Sequence, residues 1–232
     1  MREFFGQFKW QFLIFQRNNL IGMIAGVTVF YVAVVYFLKH FGEAEKFVTL
    51  LILTDSSMIG FIFIGLSIIL EKDQEVLSAL FVTPVNLHSF LISRVLTLSA
   101  LSLVCAFGMV LMVRGTSFNP IHFSVGAFSA CVLFSLFGFF VVSYTTEILH
   151  FTLRSIPVLM GISLPLLNYF DLTNLGFLKL FPVQGSLYLI ANSYGHSGNV
   201  GEIVFGYLSL AVWIPLSYWF VFRTFREKLV NT

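Results

Sequence analysis

One carboxylate lies deep inside a long apolar run of the sequence. Asp55 falls about eight residues into the run Phe47–Leu70, and Ser56 and Ser57 follow it directly. A carboxylate at that depth in a bilayer costs roughly 2.5–3.5 kcal/mol on insertion scales, so it should face other helices or a water-filled cavity. Two roles fit. Asp55, Ser56 and Ser57 could form part of a translocation pathway, or the carboxyl group could tie helices together through local partners such as Thr54 or Ser57.

The second concentration of polar residues is the stretch Glu71–Arg94, EKDQEVLSALFVTPVNLHSFLISR. Its start fits an amphipathic helix over Glu71–Val82, in which carboxylates occupy the first turns and complement the helix dipole. Thr83 is a suitable N-cap and Pro84 a suitable first residue for the next helix. Arg94 is placed to extend its side chain to the membrane surface. The stretch could transmit a push to the apolar runs on either side, or it could only anchor them at the interface.

Other patterns that support chemistry are weak. Cys105 and Cys131 both lie in apolar runs and fit small buried side chains rather than a disulfide. The five histidines are scattered and no zinc-type spacing occurs, so no metal site is predicted. No G-x-x-x-x-G-K-[ST] loop is present, so this chain does not cradle nucleotide phosphates in the usual way. A lipid-modifying enzyme would need convergent catalytic side chains near one interface, and the sequence offers no such set.

The elements that carry these residues are apolar helices. Of the 232 residues, 58% are hydrophobic and only 10% are charged, against about 25% charged in average soluble domains. Six runs approach the roughly 20 apolar residues that span a bilayer. They are Leu20–Leu38, Phe47–Leu70, Val95–Val113, Ile121–Thr145, Ser155–Phe170 and Ile203–Phe222. The predicted fold is an all-α integral membrane protein with six transmembrane helices in one domain, 1–232.

The positive charges predict its orientation. Nine of the thirteen Lys and Arg residues fall on one side if the N-terminus is inside. They are Arg2, Lys9, Arg17, Lys72, Arg94, Arg154, Arg223, Arg226 and Lys228. Loops rich in Lys and Arg stay in the cytoplasm, so both termini and the stretch Glu71–Arg94 are predicted to be cytoplasmic. The net charge of +2 and the lack of a basic cluster argue against a nucleic-acid partner.

Two further segments are amphipathic or short. The lead 1–19 places five phenylalanines on one helical face, which predicts a helix lying in the membrane interface. These residues are Phe4, Phe5, Phe8, Phe12 and Phe15. The segment 171–201 holds two apolar pieces too short to cross the membrane, split at Phe181-Pro182. They are predicted to be extracellular re-entrant half-helices that pack on other spans or line a vestibule.

This layout resembles a known family. The acidic turn Glu71–Glu75, followed by Leu80-Phe81-Val82-Thr83-Pro84-Val85 and a third span, is similar to the type-2 permeases of ATP-binding-cassette (ABC) exporters. Where that family usually continues with Gly-Thr, this chain has Val76-Leu77-Ser78, and Asn192-Ser193 replaces the common Asn-Pro. The stretch Phe181–Ser186 resembles the branch for fluoroquinolone-type drug export.

The resemblance implies a machine of two permease chains and two ABC ATPase subunits, with ATP and Mg²⁺ bound by the ATPases. This chain is then a transport subunit and not an enzyme, with no cofactor of its own. It would move amphipathic drug-like, lipid or peptide substrates outward by alternating access across the plasma membrane, a bacterial inner membrane by default. The coupling segment 71–90 would dock on the ATPase. Its implied contact residues are Glu71, Asp73, Glu75, Leu77, Leu80, Phe81, Thr83 and Pro84.

Gly22 and Gly26 form a G-x-x-x-G pattern in the first span. Small residues at this spacing let two helix backbones approach closely. The resemblance places the first span in the contact with a second permease chain, identical or different. A packing groove inside one chain is the alternative.

An ion-coupled secondary carrier that works without ATP is the alternative function. Such a carrier would need several buried charges as relays, and Asp55 alone lies clearly within a span. No pair of broken, symmetry-related spans marks a midplane binding site either.

Overall fold

The computed structural model describes residues 20–38, 44–74, 87–173, 175–195 and 199–230, and every regular element in those ranges is helical. The α-helices are α1 (Leu20–Leu38), α2 (Ala44–Ser57), α3 (Phe63–Asp73), α4 (Leu87–Arg114), α5 (Pro120–Val142), α6 (Ile148–Ser163), α7 (Pro165–Tyr169), α8 (Pro182–Ser193) and α9 (Val200–Phe225). Turns of π-helix occupy Met58–Ile62 and Arg226–Val230, and a 3₁₀ helix occupies Gly176–Leu180. The predicted all-α class is confirmed, and the predicted interfacial helix 1–19 lies outside the described residues.

Five of the described helical stretches are long and apolar enough to cross a membrane. They are Lys46–Asp73, Leu87–Met112, Pro120–Val142, Ile148–Tyr169 and Val200–Lys228. The protein is therefore a multi-pass membrane protein. Helix α1 has the bounds predicted for the first span, but its apolar part, Ile24–Val34, is shorter than the other five. A sixth span stays a prediction.

Helix α5 is the centre of the bundle. In the most apolar stretch of α5, 78% is buried, whereas the buried share of the corresponding stretch of α9 is 11%. It contacts α2, α3, α4, α6, α8 and α9, whereas α1 packs mainly on α2 and α4. The start of α5 is fixed by Asn119, whose side chain accepts a hydrogen bond from the Ile121 N–H at 3.0 Å, and by Pro120 in the first turn.

Two glycines allow the π-helical turn between α2 and α3 to lie directly against α5. A Cβ atom on Gly60 would be 2.7 Å from the Cys131 carbonyl oxygen, and one on Gly138 would be 2.7 Å from the Phe61 carbonyl oxygen. Either side chain would collide with backbone. The second apolar run of the sequence is therefore one continuous helix whose π-helical turn packs directly against the central helix, a feature that hydropathy did not predict.

The chain between α7 and α9 forms a hairpin beside α9. Trp213 donates a hydrogen bond from Nε1 to the Leu180 carbonyl at 3.1 Å. Trp213 is thirteen residues into α9, or ~20 Å along its axis, so Leu180 lies beside the middle of α9. From there α8 runs back antiparallel to α9. Gly185 and Gly206 face each other where α8 and α9 cross. The predicted break at Phe181-Pro182 is present, because Pro182 begins α8.

Helix α6 begins at Ile148, earlier than the start predicted at Ser155. Its first turns already present an exposed apolar stripe with helical spacing, formed by Leu149, Leu153, Ile156 and Met160. The polar residues of this stretch hid that periodicity in the sequence. The link between α5 and α6 is consequently short and covers only 143–147.

Replacing Gly138 by alanine should destabilise the bundle, although alanine is intrinsically better in a helix by about 1 kcal/mol. The new methyl group would meet the Phe61 backbone, which cannot move without shifting the π-helical turn. Gly108→Ala is the matched control, because none of the described residues comes within 4 Å of a Cβ atom there. We expect a lower midpoint of thermal unfolding in detergent for Gly138→Ala only. Equal midpoints for the two variants would contradict the close contact.

Candidate functional site

The end of the bundle where α3 and α5 stop and α4 and α6 begin is called the Lys72 end. Here a buried ion pair joins two helices. The Arg94 guanidinium donates to the Glu71 carboxylate, and Arg94 also lies over the Phe90 ring, 4.7 Å from its centroid. Arg94 is 0% exposed and Glu71 7% exposed. The prediction that Arg94 extends to the membrane surface is wrong, because α4 already starts at Leu87 and carries Arg94 into the core.

Glu71 and Asp73 do not open a new helix, as the sequence had suggested. They belong to the last turn of α3, which ends at Asp73 and is followed by the C-cap Gln74. Carboxylates are unfavourable at a helix C-terminus, where the carbonyl ends carry partial negative charge. Arg94 offsets this effect for Glu71, while Asp73 is exposed. The other residues of the predicted coupling contact lie outside the described residues. They are Glu75, Leu77, Leu80, Phe81, Thr83 and Pro84.

Lys72 fastens the same end of α3 to α5. Its ammonium donates to the carbonyl oxygens of Val142, at 3.2 Å, and Thr145, at 2.8 Å. Arg154 of α6 donates to the carbonyl oxygen of Tyr144 in the same turn. The last carbonyls of a helix have no partner within the helix, and cations stabilise them. Ends of α3, α4, α5 and α6 are therefore held together at the point where the segment 75–86 enters and leaves the bundle.

Asp55 lies in the middle of the bundle and is 1% exposed. Neither carboxylate oxygen has a hydrogen-bond partner among the described residues. The local partners considered from the sequence are wrong. The Thr54 hydroxyl donates to the Leu50 carbonyl at 2.8 Å, and the Ser57 hydroxyl donates to the Thr54 carbonyl at 2.7 Å.

A band of small polar side chains, Ser56, Ser99, Ser102, Cys131 and Ser135, lies near Asp55. The hydroxyls of Ser56 on α2 and Ser102 on α4 are 3.2 Å apart. Ser99 and Ser102 of α4 and Ser135 of α5 lie beside the Cys131 thiol, which in turn lies within electrostatic range of Asp55. Three helices contribute to this band, so no single stretch of sequence reveals it. The π-helical turn that follows Ser57 is a type of irregularity that is frequent at functional sites.

A cavity of about 370 Å³ lies between α4, α5 and α9. Its lining is almost entirely apolar, with Ser129 and Tyr218 as the polar residues. Pro215, which lies within α9, is one of the residues that line this cavity. The Tyr218 hydroxyl is 2.7 Å from Nδ1 of His88. The volume falls in the range of small-molecule sites. This cavity could not be predicted from the sequence, because its residues come from three separated helices.

Gly22 and Gly26 are exposed on α1. No described atom lies within 4 Å of a Cβ atom built on Gly26, so the described part of the chain forms no internal packing groove at that position. The contact with a second permease chain stays a prediction. In the described ranges no group of three His, Cys, Asp or Glu residues could hold a metal ion, and both cysteines are free thiols.

The fold and these sites define a multi-pass, all-helical membrane protein with a polar centre inside an apolar bundle. Comparison with known proteins identifies its family. A sequence model of the fluoroquinolones export permease protein family matches residues 7–232, and the chain belongs to that family. The resemblance to ABC permeases of the fluoroquinolone-type branch is thereby confirmed.

Two relatives come from Mycobacterium tuberculosis, strains CDC 1551 / Oshkosh and ATCC 25618 / H37Rv, and each is named a fluoroquinolones export permease protein. Each is 26% identical to this chain over 141 residues, which is 60% of this chain and 60% of the relative. The match therefore spans about 60% of the length of these relatives.

Removing one partner of the Glu71–Arg94 pair should destabilise the protein strongly. We expect Arg94→Met to cost about 3–5 kcal/mol, because it leaves a buried carboxylate without its cation. The double variant Glu71→Met/Arg94→Met should recover most of that loss, since an apolar pair has no charge to desolvate. Thermal unfolding in detergent measures both.

The exposed pair Arg223–Glu227, joined at 3.0 Å, is the control for this cycle. Arg223→Gln should change stability by no more than about 0.5 kcal/mol. If Arg94→Met unfolds at the wild-type temperature, the ion pair does not hold the Lys72 end.

Proposed function

We propose that this chain is the permease subunit of an ATP-driven exporter, with ATP hydrolysis on separate ABC ATPase chains. Membership of a drug-export permease family supports export. The observation that carries the coupling is the construction of the Lys72 end. Glu71–Arg94 links the two helices that flank the segment 75–86, and Lys72 links the first of them to the central helix.

This arrangement suits a mechanical input. A force applied to the segment 75–86 acts on the ends of α3 and α4, which a buried ion pair prevents from separating. The Lys72 bonds pass the displacement to α5, and packed interiors transmit small shifts because they have few voids. An ATPase bound at this segment could thus move the centre of the bundle. If the segment 75–86 served only as a membrane anchor, the adjoining end of α3 would not need the hydrogen bonds from Lys72 to the end of α5.

The topology we propose has six spans, with α1 as the first and the Lys72 end in the cytoplasm. Both termini are then cytoplasmic and the helix 1–19 lies at the inner interface. The hairpin of Gly176–Leu180 and α8 enters from the outer side as a re-entrant element. Its entry is tolerable because Trp213 satisfies the Leu180 carbonyl and α8 is covered by α5 and α9.

For the substrate we propose amphipathic, largely aromatic molecules of the fluoroquinolone type. The names of the two mycobacterial relatives, both fluoroquinolones export permease proteins, support this class. The cavity between α4, α5 and α9 offers an apolar surface with a polar group at Tyr218, a combination typical of small-molecule sites. Asp55, Ser56 and Ser57 would supply the polar part of the translocation pathway when the helices separate.

A second permease chain would complete the transporter. The exposed face of α1 with Gly22 and Gly26 is our candidate for that contact, because Gly26 has open space where a neighbouring backbone could lie. ATP and Mg²⁺ would be bound by the two ATPases. An ion-coupled carrier remains the second candidate function, since Asp55 is a buried carboxyl group without a partner in the described part of the chain.

The coupling proposal predicts that Leu80→Glu/Phe81→Glu weakens binding of an ABC ATPase. The loss of two apolar anchors should cost about 2 kcal/mol or more, or about 30-fold in affinity. Co-purification and the ATP hydrolysis rate of the complex measure the effect. Leu172→Glu is the control, because Leu172 is exposed at the opposite end of the bundle. Equal binding by both variants would contradict coupling through 75–86, and drug export without any ATPase would favour the carrier.

The pathway role of Asp55 predicts that Asp55→Asn lowers export of a fluoroquinolone several-fold with little loss of folded protein, since the amide has the same shape. Export into inverted membrane vesicles measures the first effect and gel filtration in detergent the second. Ser67→Ala is the control, as it alters a buried polar residue on α3 outside the Asp55 band. Wild-type export by Asp55→Asn would remove Asp55 from the pathway.

A further inference from the structure

Asp55 is a carboxyl group shielded from solvent that has no cation beside it among the described residues. It is 1% exposed, and both of its oxygens are without a hydrogen-bond donor among the described residues. Glu71 is buried as well, but Arg94 pairs with it. Asp171 is exposed and pairs with Lys46 at 3.3 Å.

The groups that face Asp55 cannot neutralise a negative charge. In the described part of the chain, the side chains shown to lie in electrostatic range of Asp55 are Tyr31 on α1, Cys105 on α4 and Cys131 on α5, and none of these three carries a positive charge. Lys46, on the same helix, is at the far end of α2 and engages Asp171. The neighbouring hydroxyls of Thr54 and Ser57 already donate to backbone carbonyls.

An isolated carboxylate in a dry, apolar interior is so costly that the group takes up a proton instead. We propose that Asp55 is a proton-binding site of the transporter, occupied as a neutral carboxylic acid in the conformation described. The proposal concerns this conformation and does not depend on the exporter assignment.

Two contacts keep the site closed. The Ser56–Ser102 hydroxyl pair joins α2 to α4 next to Asp55, and the Gly60 contact holds the following turn on α5. If α2 moves away from either helix, water reaches the acid, and the proton passes to that water to leave the carboxylate and a hydronium ion. Proton release therefore accompanies opening, and by linkage a falling pH favours the closed bundle.

The experiment uses the small number of aspartates in this chain, which are Asp55, Asp73 and Asp171. The full chain is made by cell-free synthesis with carbon-13 in the aspartate side-chain carboxyl groups and is placed in lipid nanodiscs. Infrared spectra at about pH 7, where exposed carboxyl groups are ionised, separate the C=O band of an acid from the bands of a carboxylate. We expect one isotope-shifted acid band, which Asp55→Asn removes and Asp171→Asn leaves in place.

A second variant keeps the test decisive if Asp55→Asn fails to fold. In Asp73→Asn/Asp171→Asn both exposed aspartates are gone and Asp55 is the one labelled group, so its acid band should persist alone. Spectra in sodium chloride and in choline chloride should be identical. Carboxylate bands alone at about pH 7 would overturn the proposal. An acid band that is present in choline and lost in sodium would also overturn it, in favour of a metal-cation site.

Discussion

The rest of the structure depends on the burial of one arginine, Arg94, inside the helix bundle. A guanidinium cannot lose its proton, so a fully buried one requires an anion beside it. Its N–H donors also require hydrogen-bond acceptors. Glu71 meets that requirement for Arg94, and in doing so it joins the end of α3 to the first turns of α4. Lys72, the next residue, meets the requirement of α5 for a partner at its carbonyl end. Two adjacent residues thus tie three helices through opposite charges.

The same apolar stretch of chain carries a second buried carboxyl group, that of Asp55, and no described cation pairs with it. No cation pairs with Asp55 among the described residues, and the hydroxyls of Ser56 and Ser102 nearby are hydrogen-bonded to each other. One run therefore has a charged, fixed end at Glu71 and an uncharged polar centre at Asp55, separated by the π-helical turn against α5. This division suits a helix that is held at one end and can change its packing in the middle.

The sequence predicted much of the fold and little of the site. Hydropathy located the apolar helices, and the Phe181-Pro182 break located α8, since chain-local signals determine both features. Hydropathy placed the start of α6 too late in the chain, because polar residues interrupt the apolar stripe formed by Leu149 and Leu153. The sequence could not reveal that Arg94 turns inward, because its partner is on another helix. The serine band around Asp55 and the cavity beside Pro215 were missed for the same reason.

Of the five long helices described, α9 has the lowest buried share, with 11% of its most apolar stretch buried. Within the described chain its contacts are mainly with α5 and the short α8, and exposed apolar side chains such as Leu208 and Val212 line the rest of its surface. A helix held in this way adjusts its tilt to the thickness of the surrounding hydrocarbon layer. Because the cavity lies partly on α9, its width should vary with acyl-chain length, which makes lipid composition a determinant of how the protein works.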